Sequence, residues 1–148
     1  MPERIKLTSE ELGLIHLFQQ VSGATARDCI IDPRMDRVIF VVNKGEMGLA
    51  IGKSGVNIKN LQKLVGRPVD LVEYSDDPKE FIRNSLSGRY VSDVRLTEKL
   101  DGTKLAVVVV DPRQKGAVVG RDGRNAEKAR LLAKRYFQIS NIHVVSPS

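Results

Sequence analysis

The sequence is poor in the residues that hold small proteins together covalently or through a metal. Cys29 is the single cysteine among 148 residues, and His16 and His143 are the only histidines. One thiol excludes an internal disulfide framework and a cysteine-cluster zinc site. Two histidines beside it offer too few ligands for a transition metal, so neither a metal nor a cofactor is expected. Apolar runs are short as well, Val107-Val-Val-Val110 for example, against the roughly 20 residues that a helix needs to cross a bilayer. The N-terminal Met-Pro-Glu-Arg-Ile-Lys carries no apolar signal-peptide core. A soluble, cytoplasmic chain with no membrane partner is the expectation.

Aromatic residues are equally sparse: Phe18, Phe40, Phe81, Phe137, Tyr74, Tyr90 and Tyr136. Binders that stack bases on a sheet or barrel need aromatics spaced along strands, and that pattern is missing. Phe18 and Phe40 read as core, Tyr136 as helix-end packing and Cys29 as a small buried apolar residue. Neither histidine has a carboxylate, serine or cysteine partner at a catalytic spacing. Asp76-Asp77 reads as helix capping rather than a metal pair. No catalytic constellation is present, and the chain is not expected to be an enzyme.

What is present is a core-forming composition, 41% hydrophobic, with a net charge of +6. The charge is unevenly placed. Residues 44–67 sum to +4 and residues 113–135 to +6, which leaves −4 for the remainder. Two basic windows on an acidic body suggest contact with a polyanion, although a solvated helix face would look the same.

Both windows contain one motif. Ile51-Gly-Lys-Ser-Gly-Val-Asn-Ile58 aligns with Val119-Gly-Arg-Asp-Gly-Arg-Asn-Ala126 at an offset of 68, as does Ile39-Phe-Val-Val42 with Val107-Val-Val-Val110. Ile58, Leu61 and Leu64 then match Ala126, Ala129 and Leu132 along one helical stripe. The sequence therefore holds two copies, 1–75 and 76–148, each reading helix, strand, strand, helix, helix, strand. In the first copy Thr8-Ser-Glu-Glu11 is a capping box for a helix with Leu12, Ile15 and Phe18 on one side, ended by Gly23. Strands follow at 28–32 and 37–43 around a turn at 33–36, helices at 46–51 and 56–65, and a strand at 69–74. In the second copy Asp76-Asp-Pro78 starts a helix through Leu86. A hairpin of 91–100 with 104–111 turns at Asp101-Gly102. A short helix from Pro112, a long one at 125–137 and a strand at 139–145 complete it. The short linker implies a fixed relation between the copies.

In each copy the glycine motif lies between a short and a long helix. Glycines at both ends allow a sharp turn and an unobstructed approach for a sugar-phosphate backbone. The following helix offers unpaired N–H groups and its positive dipole end, and Lys53 or Arg121 adds a cation. A bare helix–helix turn is the alternative. Gly48-Leu-Ala-Ile-Gly-Lys-Ser54 looks like a nucleotide-binding P-loop, but that loop has four residues between its glycines and follows a strand. Here there are three, after a helix. Asn57 and Asn125 occupy equivalent positions, where they would contact RNA or support the first helical turn.

An apolar residue followed by Gly-x-x-Gly between two helices resembles the signature of the KH family of RNA-binding domains. The αββααβ order is similar to the type II arrangement, an α+β fold with a three-stranded mixed sheet and helices on one face. The doubled unit resembles the KH pair of the NusA family, in its short archaeal form. The resemblance covers about residues 8–146. It implies grooves for single-stranded RNA, about four unpaired nucleotides each, and a role in transcription elongation or termination. Gly52, Lys53, Ser54 and Gly55 would grip the backbone in the first copy, over a floor of Ile51 and Ile58. Gly120, Arg121, Asp122 and Gly123 would do so in the second, over Val119. Asp122 sets a negative charge where the phosphate should lie, flanked by Arg121 and Arg124, and Ala126 makes that floor shallower. RNA polymerase would be a further partner by resemblance. Bacterial NusA, however, has a polymerase-binding N-terminal domain and a β-barrel RNA-binding domain for which this chain has no room. An accessory in ribosome assembly or RNA processing would use the same grooves, and a protein-interaction scaffold would carry them as vestiges.

Overall fold

The computed structural model describes residues 5–147, so the segment on which the signal-peptide reading rests begins outside the described residues. Among the described residues no helix is long and apolar enough to cross a membrane. Among the same residues, no group of three or more His, Cys, Asp or Glu side chains is placed to hold a metal ion. The chain divides into two compact units, Lys6–Tyr74 and a second that runs from Ser75 onward.

The first unit consists of α1 (Ser9–Ser22), β1 (Ala26–Asp32), β2 (Arg37–Val42), α2 (Met47–Ile51), α3 (Val56–Val65) and β3 (Val69–Glu73). The Thr8 hydroxyl accepts from Glu11 N while the Glu11 carboxylate accepts from Thr8 N, at 3.1 and 2.8 Å, closing the capping box. Gly23, left-handed at φ 76°, ends α1. β2 is central, antiparallel to β1 and parallel to β3, so the sheet is mixed. Val38, Phe40 and Val42 alternate along β2 toward the helices, where Phe18 stacks on Phe40 with ring centroids 4.8 Å apart. Cys29 is fully buried in this core.

One end of this sheet is tied by charge. Arg37 is fully buried; its Nε donates to Asp32 Oδ2 at 2.9 Å and its Nη1 to Asp70 Oδ2 at 3.0 Å. The guanidinium thereby links β1, β2 and β3. Its Nη2 is buried with no hydrogen-bond partner among the described residues.

The second unit repeats the order: α4 (Pro78–Ser85), β4 (Val91–Glu98), β5 (Lys104–Val110), α5 (Lys115–Val119), α6 (Arg124–Phe137) and β6 (Ile139–Val145), with single 3-10 turns at Gly88–Tyr90 and Pro112–Gln114. Its sheet has the same mixed order. Asp77 caps α4 through Lys79 N, and Pro78 occupies the first turn. Ser75 belongs to the same start: its hydroxyl accepts from Asp77 N and donates to Glu80 Oε2. Tyr136 is buried edge-to-face against Phe81 at 5.2 Å, in the packing role read for it.

Several expected details differ. Asp76 is exposed and Asp77 alone caps α4. Leu12 and Leu64 are exposed rather than on the buried stripes. Leu12 lies in the first turn of α1 and Leu64 in the last turn of α3, where the apolar stripe has rotated away from the sheet. Leu132, the counterpart of Leu64, is buried, and α6 continues five residues beyond it, to Phe137. The first hairpin strand stops at Glu98 rather than Leu100, and Gly102, left-handed at φ 88°, lies in a loop closed by Lys99 N to Thr103 O. β1 begins at Ala26, two residues earlier than its hydrophobic pattern indicates, because the register breaks between Ala26 and Asp28. The same irregularity recurs between Val91 and Asp93.

Candidate functional site

Each unit carries the glycine motif as one 3-10 turn wedged between its short and long helices, at Lys53–Gly55 and Arg121–Gly123. The two loops share a backbone. Gly52 has φ 77° and ψ 168°, and Gly120 has φ 82° and ψ 165°, a region open essentially to glycine alone. Ser54 and Asp122 are left-handed at φ 56° and 57°, and Gly55 and Gly123 follow at φ 75° and 76°. The hydrogen bonds repeat as well. Gly52 N donates to Gly48 O and Gly55 N to Gly52 O; Gly120 N donates to Gly116 O and Gly123 N to Gly120 O.

The asparagines hold this turn shut. Asn57 Nδ2 donates to Leu49 O at 2.9 Å, and Asn125 Nδ2 reaches Ala117 O at 3.5 Å. A Cβ on Gly52 would lie 2.7 Å from Asn57 Cγ, and one on Gly120 would lie 2.9 Å from Asn125 Cγ. First glycine and asparagine are therefore interlocked parts, and of the two readings of Asn57 and Asn125 the support of the helical turn is visible. The second glycines are less confined: Gly55 would meet nothing closer than 3.8 Å, and Gly123 nothing within 4 Å.

Left-handed backbone also accounts for Asp122. Aspartate and asparagine tolerate that conformation better than most side chains because they bond locally. Asp122 is exposed and forms no ion pair with Arg121 or Arg124 among the described residues. The flanking arginines do not neutralise it by direct contact.

Exposure separates the predicted site residues. Lys53, Ser54, Arg121 and Asp122 are exposed at the loop tips, and Gly52, Gly55, Gly120, Gly123 and Arg124 are partly so. Ile51 is exposed, Ile58 and Val119 are half-buried, and Ala126 is buried at 3%. Ala126 is thus part of the interior rather than a groove floor. α3 and α6 begin at Gly55 and Gly123 with no side-chain cap, unlike α1 and α4. Sequence reasoning missed two exposed apolar neighbours of the first loop, Leu49 at 52% and Val56 at 48%. Val56 left a signal, since it falls off the stripe marked by Ile58 and Leu61 on α3, whereas Leu49 on the short α2 left none.

The basic windows shrink once partners are assigned. Arg130 donates to Ile142 O and to Glu127, tying α6 to β6. Arg113 pairs with Asp111, and its guanidinium holds that carboxyl below the usual carboxylate range. Lys128 is buried. In the first window Arg67 faces Glu10 at 3.7 Å, and the Glu46 carboxylate accepts from Thr25 N. Cations with exposed side chains remain in both windows: Lys53, Lys59 and Lys63 in the first unit, with Lys59 Nζ donating to Ser54 O at 3.4 Å, and Lys115, Arg121 and Lys134 in the second. A cavity of about 300 Å³ at the hairpin end of the second sheet, lined by Leu96, Leu105 and Phe137 among others, takes no residue from either loop.

An α+β unit with a mixed three-stranded sheet and a Gly-x-x-Gly turn between two helices defines a KH domain, and a family model for the KH domain matches residues 14–76. The chain is 40% identical over 144 residues to a "Probable transcription termination protein NusA" of Methanococcus vannielii, covering 97% of this chain and 81% of that protein. It is 40% identical over 140 residues to the protein of the same name in Halobacterium salinarum, covering 95% and 98%. The crystal structure of APE1850 superimposes with a TM-score of 0.85 at 35% identity, over 94% of this chain and all of that one. The chain belongs to the family of archaeal NusA-like KH proteins.

Proposed function

We propose that this chain binds single-stranded RNA through two tandem type II KH domains, 1–75 and 76–148, and acts on nascent RNA in transcription elongation or termination. The observation that carries this reading is the duplicated loop. Two turns with the same backbone, each held in place by an interlocked glycine and asparagine, present an uncapped helix start and an exposed cation. That is what a sugar-phosphate backbone needs: close approach, N–H donors and positive charge. Gly52, Lys53, Ser54 and Gly55 hold the backbone in the first unit, and Gly120, Arg121, Asp122 and Gly123 in the second. The names of the relatives support placing the RNA contact in transcription.

Charge reversal tests it. In anisotropy titrations with labelled short single-stranded RNAs, Lys53→Asp with Ser54→Asp weakens binding strongly, and Arg121→Asp does so in the second unit. Wild-type affinity in both variants sinks the model. For the wild type, engagement of about five phosphates gives a log–log salt slope near −3.5. A flat salt dependence contradicts the mechanism.

Asp122 supplies a test of opposite sign. Asp122→Asn keeps a residue tolerant of left-handed backbone and removes the charge from the phosphate position. Affinity should rise by about two- to fivefold, the range of an exposed charge pair. Unchanged or weaker binding means that no phosphate sits at the second loop.

A further inference from the structure

The two loops share a backbone, so whatever distinguishes their ligands comes from side chains. Beside the first loop three large apolar side chains are exposed: Leu49 at 52%, Ile51 at 38% and Val56 at 48%. Leu49 and Ile51 lie on α2 before the turn, and Val56 opens α3 directly after it. At the offset of 68 the corresponding residues are Ala117, Val119 and Arg124. Of these only Val119 is a large apolar residue, and it is half-buried, so the second loop has no such apolar margin; the exposed Leu131 lies midway along α6. Where the first loop has Lys53 and Val56, the second has Arg121 and Arg124.

We propose that the two units divide the work: the first reads bases against its apolar margin, and the second supplies sequence-independent grip on phosphates. This rests on the RNA-binding reading above and deepens it. Apolar side chains gain nothing from phosphates but do gain from covering the faces of unstacked bases. A base pressed against Leu49, Ile51 and Val56 leaves water, and its polar edge must then find partners. The wrong base leaves a donor or acceptor unpaired, which is how such a margin discriminates. The arginines and lysines of the second unit contact phosphates that are the same at every nucleotide, so they add affinity and salt dependence without reading sequence.

The experiment titrates the full chain with oligo(A), oligo(C) and oligo(U) dodecamers at salt concentrations between about 50 and 200 mM. Leu49→Ser with Val56→Ser alters only exposed side chains. It should compress the ratio of tightest to weakest oligomer by about two- to tenfold, the worth of one buried hydrogen bond, and leave the salt slope unchanged. Arg121→Gln with Arg124→Gln should weaken all three oligomers by one common factor and flatten the slope by about 1.4, for two phosphates. The ratio should not move. A wild type that ranks the three oligomers equally overturns the division of work, as do variants that shift ratio and slope together or exchange effects. A wild type that binds none of them overturns the RNA-binding reading itself.

Discussion

Arg37→Ala destabilises the first unit by about 3–5 kcal/mol. Removing the guanidinium leaves Asp32, whose side chain is 7% exposed, as a buried carboxylate without its counter-charge, and Asp70 loses its partner on β3. The three strands lose their shared tie at that end. Arg37→Lys fails to a similar degree, because an ammonium does not present two donors in a planar fork to two carboxylates. The ion cluster is not thereby optimal for stability. Nη2 is buried and unpaired, a desolvation cost that an apolar side chain would not incur. Arg37→Met combined with Asp32→Asn and Asp70→Asn therefore recovers most of the loss. Urea titration, with amide exchange followed in β1 to β3, measures all three variants. An Arg37→Ala protein within about 1 kcal/mol of wild type would show that the cluster does not hold the sheet.

Gly52→Ala has the second-largest effect, and its contrast with Gly55→Asn makes it diagnostic. At Gly52 the backbone lies where a side chain costs about 1–3 kcal/mol. The new Cβ also falls 2.7 Å from Asn57 Cγ, forcing a repacking worth about 1–3 kcal/mol more. Asn57 then surrenders its bond to Leu49 O, and the turn between α2 and α3 opens. Gly55 is simply left-handed, and a Cβ there would make only ordinary contacts at 3.8 Å and beyond, so Gly55→Asn should cost well under about 1 kcal/mol. Gly120→Ala and Gly123→Asn should repeat the pair in the second unit, where the backbone angles are the same within a few degrees. Thermal melting ranks the four variants. Equal losses at Gly52 and Gly55 would mean that glycine is needed there only for backbone freedom.

The legible parts of the fold were those written locally. Thr8 and Glu11 cap a helix three residues apart, Gly23 and Gly66 stop helices by going left-handed, and Asp77-Pro78 opens α4. Each is a short-range device whose partners lie within one turn of chain. The repeat was legible for the same reason, since a motif copied with its flanking strand and helix needs no tertiary information. Its alignment weakens toward the hairpin, where the register break at Ala26 recurs at Val91, an offset of 65 rather than 68. The second hairpin is longer, and sequence matching at constant offset does not follow it.

The charge reading shows what was not legible. A count of Lys and Arg cannot tell that Arg37 is sealed between two carboxylates, that Arg130 braces a strand carbonyl, or that Lys128 is buried. Those fates depend on partners 5 to 33 residues away.

By itself the sequence determined the two-copy αββααβ order, the helix caps and the two glycine turns, because each follows from propensities and spacings within a few residues. Only the tertiary structure decided which cations remain available, that Asn57 and the first glycine interlock, and that Leu49, Ile51 and Val56 stay exposed beside the first loop. Burial and pairing are properties of segments brought together from distant parts of the chain, and no local pattern encodes which neighbour arrives.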